Sequence, residues 1–218
     1  LHQKDYRSAM AAIETLVAFT AHDDQLIASA LQVRALLGPR THEDSGHGGP
    51  GLCLCMIVKN EQAYLGPCLN AAKTLADEII VIDTGSTDRS VDLARIYGAR
   101  VYSFPWCDDF SAARNFALEK AGGDWVLILD ADEIIDRKDQ SRVRDLLVQY
   151  RQNPVALSFE TRNYSYLANG LNWRVNDGSY PKHEAGLGWF PSNKVRLFPR
   201  SKAVRFSYPV HELVEPAI

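Results

Sequence analysis

No stretch of this 218-residue sequence approaches the roughly 18 consecutive apolar residues of a membrane span, and it shows no signal-peptide pattern. A cytoplasmic protein, free or at a membrane surface and without a transmembrane segment, is therefore expected. Nor is there a surplus of positive charge: 24 Lys and Arg stand against 27 Asp and Glu. That balance removes the broad basic footprint of a general nucleic-acid binder, so DNA and RNA are discounted as main partners. Cysteine is scarce. Cys53, Cys55, Cys68 and Cys107 lack the spacing of a zinc site. The Cys-x-Cys pair falls inside a predicted strand, and the reading sets its two side chains on opposite faces. Reduced, partly buried thiols are expected. No Gly-x-Gly-x-x-Gly follows a strand and no Gly-x-x-x-x-Gly-Lys-Ser/Thr occurs, so neither a dinucleotide fingerprint nor a P-loop is present.

What is present suffices for one sizeable domain and a small extra element: 46% of residues are hydrophobic and 10% aromatic. Residues 1–38 read as two amphipathic helices, one facing inward with Tyr6, Met10, Ile13, Leu16 and Val17. Leu26, Ile27, Ala30, Leu31, Val33 and Leu37 form the face of the other, with Asp23 as its cap and Gly38-Pro39 as its stop. This pair resembles one tetratricopeptide-type repeat and offers a surface for a protein partner; an ordinary helical appendage has the same pattern. Residues 39–51 form a polar, Gly-rich stretch, read as a flexible linker, in which His42 and His47 are assigned to solvent rather than metal. The main domain is expected over 52–218. The chain starts at Leu1 without a methionine and stops just after a predicted strand, as a piece of a longer polypeptide would.

From Leu52 onward strands and helices alternate: strands at 52–58, 78–83, 100–104 and 125–129, helices at 61–75, 90–97 and 111–121. This is the pattern of an α/β domain with a mainly parallel sheet flanked by helices. Trp125-Val-Leu-Ile-Leu ends in Asp130-Ala131-Asp132-Glu133. A sheet interior cannot hold these carboxylates unpaired, so they belong at its exposed carboxyl end, where open α/β sheets bind ligands. Two aspartates one residue apart can grip one hard cation, although Asp-x-Asp also serves turns and helix caps. The second strand ends in Asp83-Thr-Gly85-Ser86-Thr87-Asp88, a tight turn in which Asp88 is assigned a structural role at the next helix.

Four ordered motifs, Cys55-Met-Ile-Val-Lys-Asn60-Glu61, Val81-Ile-Asp83-Thr-Gly-Ser-Thr-Asp88, Phe110-Ser-Ala-Ala-Arg114-Asn115 and Leu129-Asp130-Ala131-Asp132-Glu133, resemble a family 2 glycosyltransferase over residues 52–135. The resemblance implies a GT-A fold with a nucleotide-sugar half (52–135) and an acceptor half (136–218). It also implies transfer of a hexose from a nucleoside diphosphate sugar, UDP-sugars favoured, with Mn²⁺ or Mg²⁺ as cofactor. By the same resemblance Ile57, Lys59, Asn60 and Glu61 lie near the nucleotide, Asp83 reaches base or ribose, and Arg114 approaches the nucleotide or its phosphates. Asp130 and Ala131 belong with the ribose and Asp132 with the metal, while Asp130 also contacts ribose or a metal-bound water. Many members carry an acidic residue where Thr84 stands, so the base is not specified. The acceptor, a glycan, a lipid-linked glycan or a peptide, is left open.

The C-terminal half is read more coarsely. Strands are expected at 155–159 and 194–198, and Lys194-Val-Arg196-Leu-Phe198 and His211-Glu212 also resemble a subset of the family in which a late histidine completes the metal shell. His211 is then a third metal residue, and a neutral imidazole suits Mn²⁺ better than Mg²⁺; a structural histidine fits the same sequence. Inverting transfer needs a general base, for which Glu184 and Glu212 are the candidates, with His183 able to replace either. Glu133 is read as a cap for the next segment of chain. Tyr164, Tyr166, Trp173, Tyr180, Trp189 and Phe190 form either an acceptor platform or a small core. Two rival functions remain: a binding module with a vestigial sugar site, and a nucleotidyltransferase, whose usual Gly-rich loop after the first strand is replaced here by Lys59-Asn-Glu-Gln.

Overall fold

Two helices, α1 (Gln3–Val17) and α2 (Asp24–Leu37), precede β1 (Leu52–Val58), α3 (Gln62–Ala72), β2 (Glu78–Asp83), α4 (Ser90–Ile96) and β3 (Arg100–Ser103). The order continues with α5 (Phe110–Lys120), β4 (Trp125–Ile128), α6 (Arg137–Gln149), β5 (Leu157–Ser165), β6 (Arg174–Val175), β7 (Gly188–Pro199), β8 (Arg205–Ser207) and β9 (Leu213–Glu215). This computed structural model describes residues 3–20, 23–42, 46–153, 155–168 and 170–215. Neighbours in the main sheet run β3, β2, β1, β4, β7, β5, with β6 beside β7. The first four strands are mutually parallel, and β7 lies antiparallel to both β4 and β5. The expected sheet flanked by helices is thus present, with a parallel half from the first four strands and an antiparallel extension.

The parallel strands are apolar throughout because both faces of the sheet are covered. Every residue of β2 and β4 is buried. Alternation divides them between two layers, with Leu54, Met56, Ile79, Val81 and Leu127 in one and Cys53, Cys55, Ile80, Ile82 and Val126 in the other. This corrects the expectation for the cysteines. Residues two apart in a strand share a face, and the Sγ atoms of Cys53 and Cys55 lie 3.8 Å apart in the same layer. All four cysteines are free thiols, three of them buried.

The N-terminal helices are part of the main core. Met10, Val17, Ile27 and Ala30 belong to the apolar cluster that includes Leu65, Leu69 and Tyr97. Glu14 on α1 is buried, and its carboxylate receives Arg34 Nη2 at 2.5 Å and Lys73 Nζ at 3.0 Å. Tyr97 Oη donates to the Glu14 carbonyl at 2.5 Å, and Arg34 Nε donates to the Ile96 carbonyl at 2.8 Å. The stretch between α2 and β1 is also tied down at its described residues: His42 and His47 reach the buried Asp77 carboxylate at 3.3 and 3.0 Å. No helix among the described residues is long and apolar enough to cross a membrane.

A carboxylate shared by two nearly buried cations holds the helical pair to the sheet domain. Replacing Glu14 by alanine removes the buried carboxylate that both cations share and is expected to destabilise the fold by about 3 kcal/mol. Tyr97→Phe, which removes one hydrogen bond, is expected to cost about 1 kcal/mol. Urea denaturation of the three proteins measures both differences.

Candidate active site

Strand β1 sits between β2 and β4, so the chain leaves it toward β2 on one side and returns on the other side as β4. A reversal of strand order of this kind opens a crevice outside the carboxyl ends of the strands. The loops after β1, β2 and β4 carry the first, second and fourth sequence motifs to that edge.

Asn60 comes just after β1 with φ 58°, a left-handed conformation that asparagine tolerates. Its backbone N–H donates to Ser86 Oγ at 3.0 Å and its Oδ1 accepts from the Thr87 N–H at 2.7 Å, bracing the β1 loop against the β2 loop. The buried Asp83 carboxylate accepts from the backbone N–H groups of Gly85 (3.4 Å) and Ser86 (3.0 Å), closing a turn in which Gly85 adopts φ 108°. Asp83 therefore holds its own turn in this structure. Asp88 accepts from the Ser90 N–H and Oγ and from the Gln62 N–H, so it anchors the first turns of α4 and α3, the structural role assigned to it. Burial works against the Asp88 charge, but the bonds from Ser90 and Gln62 outweigh it and keep the carboxyl below its ordinary range. Glu61 is shifted the other way, by partial burial first and then by the charges of Asp132, Asp88 and Asp130.

At the end of β4 the two aspartates differ in environment. Asp130 Oδ1 receives Arg114 Nη2 at 2.6 Å and its Oδ2 receives Arg196 Nη2 at 3.0 Å. Those guanidiniums are only 6% and 5% exposed. Burial opposes the Asp130 charge, yet the two arginines overcome it and hold the carboxyl well below the usual carboxylate range. Glu133 joins the same group: its Oε2 accepts from the Asp130 N–H at 3.0 Å and its Oε1 pairs with Arg196. Glu133 thus closes the turn backward onto Asp130, which corrects its reading as a cap for the next segment; the cap of α6 is Asp136, which accepts from the Lys138 N–H. Arg114 Nε extends the chain of charges to Glu212 at 3.2 Å. Tyr208 and His211, both at positive φ (76° and 58°), bend the segment that delivers Glu212. Below the turn, burial and then the charges of Glu133, Asp132 and Asp130 push the Cys68 thiol far above its ordinary value.

Asp132 is exposed and its carboxylate makes no hydrogen bond or ion pair among the described residues. This bears on the cation. Among the described residues no three His, Cys, Asp or Glu side chains converge as a metal cage. Asp130 is committed to two arginines, and His211 is exposed. A single free carboxylate does fit a cation whose other ligands come from a substrate diphosphate and water, the mode usual for Mg²⁺.

Ile57 is half-buried, Lys59 exposed and Ala131 buried beneath the turn. Glu184 accepts from the backbone N–H groups of Gly178 and Tyr180 at 3.1 Å each, and so holds its own loop. Glu212 is brought to the Arg114–Asp130 pair. Trp189 is 3% exposed, with the guanidiniums of Arg162 and Arg174 over its ring at 4.4 and 4.9 Å, so it belongs to packing rather than to an open platform. Sequence reading assigned no role to Arg196 and Lys194. The available signal was two cations in a strand otherwise rich in apolar residues, which require buried or edge carboxylates nearby.

The sequence model of Glycosyl transferase family 2 matches residues 53–208. A TPR repeat-containing protein of Synechococcus elongatus is 38% identical over 166 residues, which cover 76% of this chain and 36% of that protein. An uncharacterised glycosyltransferase of Rickettsia typhi is 35% identical over 98 residues, 45% of this chain and 33% of the relative. The chain thus spans about a third of the length of these relatives. A crystal structure of S. aureus TarS in complex with UDP-GlcNAc aligns with a TM-score of 0.44 at 20% identity, covering 56% of this chain and 36% of that one. With the family model matched over most of its length, the chain belongs to Glycosyl transferase family 2.

Proposed function

We propose that this chain transfers a hexose, with inversion, from a nucleoside diphosphate sugar to an acceptor hydroxyl or thiol. The observation that carries this reading is the division of the Asp-x-Asp pair at the crevice between β1 and β4, with Asp130 locked by Arg114 and Arg196 and Asp132 free. One rigid and one available carboxylate at a strand-order switch suit a diphosphate ligand. The nucleoside would lie over the loops after β1 and β2, where Asn60 and the Asp83 turn form a braced surface. Mn²⁺ or Mg²⁺ held by Asp132 and the donor diphosphate would supply Lewis-acid stabilisation of the departing charge. UDP is the first donor nucleotide to test.

Of the two carboxylates proposed as general base, Glu212 is the one that supports the reading, being 21% exposed and linked through Arg114 to the turn beside Asp132. It would accept the proton of the acceptor as that group attacks the anomeric carbon. Residues 52–218 would form the transferase unit, 39–51 the connection and 1–38 a helical element whose outer face, with Leu16 56% and Phe19 77% exposed, is offered to a protein partner. The acceptor is a glycan, a lipid-linked glycan or a peptide.

Asp132→Asn is expected to lower sugar transfer on the order of 1,000-fold, the loss of several kcal/mol of transition-state stabilisation. A thermal-shift panel of UDP, GDP, dTDP and CMP with Mn²⁺, Mg²⁺ or EDTA should show a rise for one diphosphate that vanishes in EDTA and in the variant. Unchanged turnover in the variant would instead favour a non-catalytic binding module. Glu212→Gln is expected to slow transfer by about 100- to 10,000-fold while leaving donor binding intact. Glu184→Gln should leave turnover within about threefold and lower stability by about 1 kcal/mol, because one of the two N–H groups of its loop loses an acceptor. Steady-state assays of nucleoside diphosphate release, paired with melting curves, separate these roles.

A further inference from the structure

The Asp130 carboxylate has more cations around it than it needs. Its two oxygens are each bonded by a buried guanidinium, Arg114 at 2.6 Å and Arg196 at 3.0 Å. A third cation, Lys194 Nζ, stands 3.5 Å from Asp130 Oδ2 and 3.9 Å from Glu133 Oε1, beyond good hydrogen-bond length, with its side chain 50% exposed. The arginines are fixed, and the lysine is loosely held on a flexible stem.

The sheet explains why Lys194 is there. Strand β7 pairs with β4 through Leu197 and Leu127 and then runs past the end of β4 toward the Asp130 turn. In the ladder with β5, Leu157 faces Leu197 while Ser158 faces Val195, so Arg196 is the extra residue of a β-bulge. Bulges re-aim side chains and are frequent beside active sites. This one directs Arg196 onto Asp130 and Glu133 and leaves the half-exposed Lys194 at the rim of the same turn, 3.5 and 3.9 Å from those two carboxylates.

We propose that Lys194 leaves the already satisfied Asp130 carboxylate and pairs with the diphosphate of the bound donor, stabilising it as the leaving group. The assignment rests on the donor class proposed above. In the transfer the bond from the anomeric carbon to the diphosphate oxygen breaks and its electron pair stays on that oxygen. The acceptor atom bonds to the anomeric carbon, and its proton passes to Glu212. Negative charge grows on the diphosphate, and among the described residues Lys194 is the one cation contacting this turn that is neither buried nor held at close hydrogen-bond length.

Calorimetric titration of the wild-type chain, Lys194→Met and Lys194→Arg with UDP, GDP, dTDP and their monophosphates, in Mn²⁺, tests this. Lys194→Met should weaken the preferred diphosphate about tenfold and its monophosphate less than about twofold, and Lys194→Arg should stay within about threefold of wild type. Equal diphosphate affinity in wild type and Lys194→Met overturns the proposal. Equal losses for diphosphate and monophosphate also overturn it, since they mark a structural role. If the wild-type chain binds none of these nucleotides, the donor reading itself falls and the assignment falls with it.

Discussion

The structure depends on one carboxylate that cannot be left alone. Asp130 lies just past the end of the central parallel strand β4, beside two buried guanidiniums from different elements that need its charge. Arg114 comes from helix α5, which packs on one face of the sheet, and Arg196 from β7, which extends the sheet antiparallel to β4. Removing the Asp130 carboxylate would take the shared counter-charge from two buried guanidiniums, so α5, β4 and β7 are constrained to meet at this point. Glu212 on Arg114 and Glu133 on Arg196 continue the chain of charges, tying the segment before β9 to the same turn.

The consequence for chemistry is that two aspartates one residue apart have opposite fates. Residues at i and i+2 of a turn need not share an environment, and here the first is consumed by structure so that the second can be presented. A ligand-binding carboxylate is useful when its position is set before the ligand arrives, because the ordering is then done in folding rather than in binding. The arrangement meets that condition: Asp130 N–H to Glu133 and Glu133 N–H to Asp130 C=O, both at 3.0 Å, close the turn on itself around Asp132. The β1 and β2 loops are fixed in a similar way by Asn60, Asp83 and Asp88, whose side chains all bond backbone N–H groups. Several residues that a motif comparison would send to the ligand thus hold the frame of the site.

The same division explains which parts were legible from the sequence. The β/α alternation from Leu52 to Ile128 could be read because it is local: apolar runs of strand length, amphipathic helical stretches and turn residues between them. The edge at which the carboxylates gather could be inferred from the burial cost of charge. The different fates of Asp130 and Asp132 could not be read, because they are set by Arg196, 66 residues farther along the chain. The bonds that Glu184, a candidate base, accepts from the N–H groups of its own loop could not be read either, because backbone donors leave no mark in side-chain identity. The length of β7, which reaches back to Gly188, was hidden because Pro191 and the polar Ser192-Asn193 interrupt the apolar pattern that marks a strand.

The N-terminal helices obey the same rule at larger scale. Their amphipathic pattern identifies them as helices but says nothing about what they cover. Glu14 decides it: a buried acid on α1 with cations from α2 and from the end of α3 binds the helical pair to an element of the sheet domain. Two apolar faces can slide over each other with little change in buried area, whereas a carboxylate with two fixed cationic partners has one satisfactory register. The helices therefore sit in a defined place against α4, through Arg34 to the Ile96 carbonyl and Tyr97 to Glu14. Helix α4 begins where the β2 turn ends, at the Asp88 and Ser90 bonds, so the helical pair is joined through packed elements to the β2 loop at the crevice. The helical pair is therefore fixed to the sheet domain and is not a freely hinged appendage.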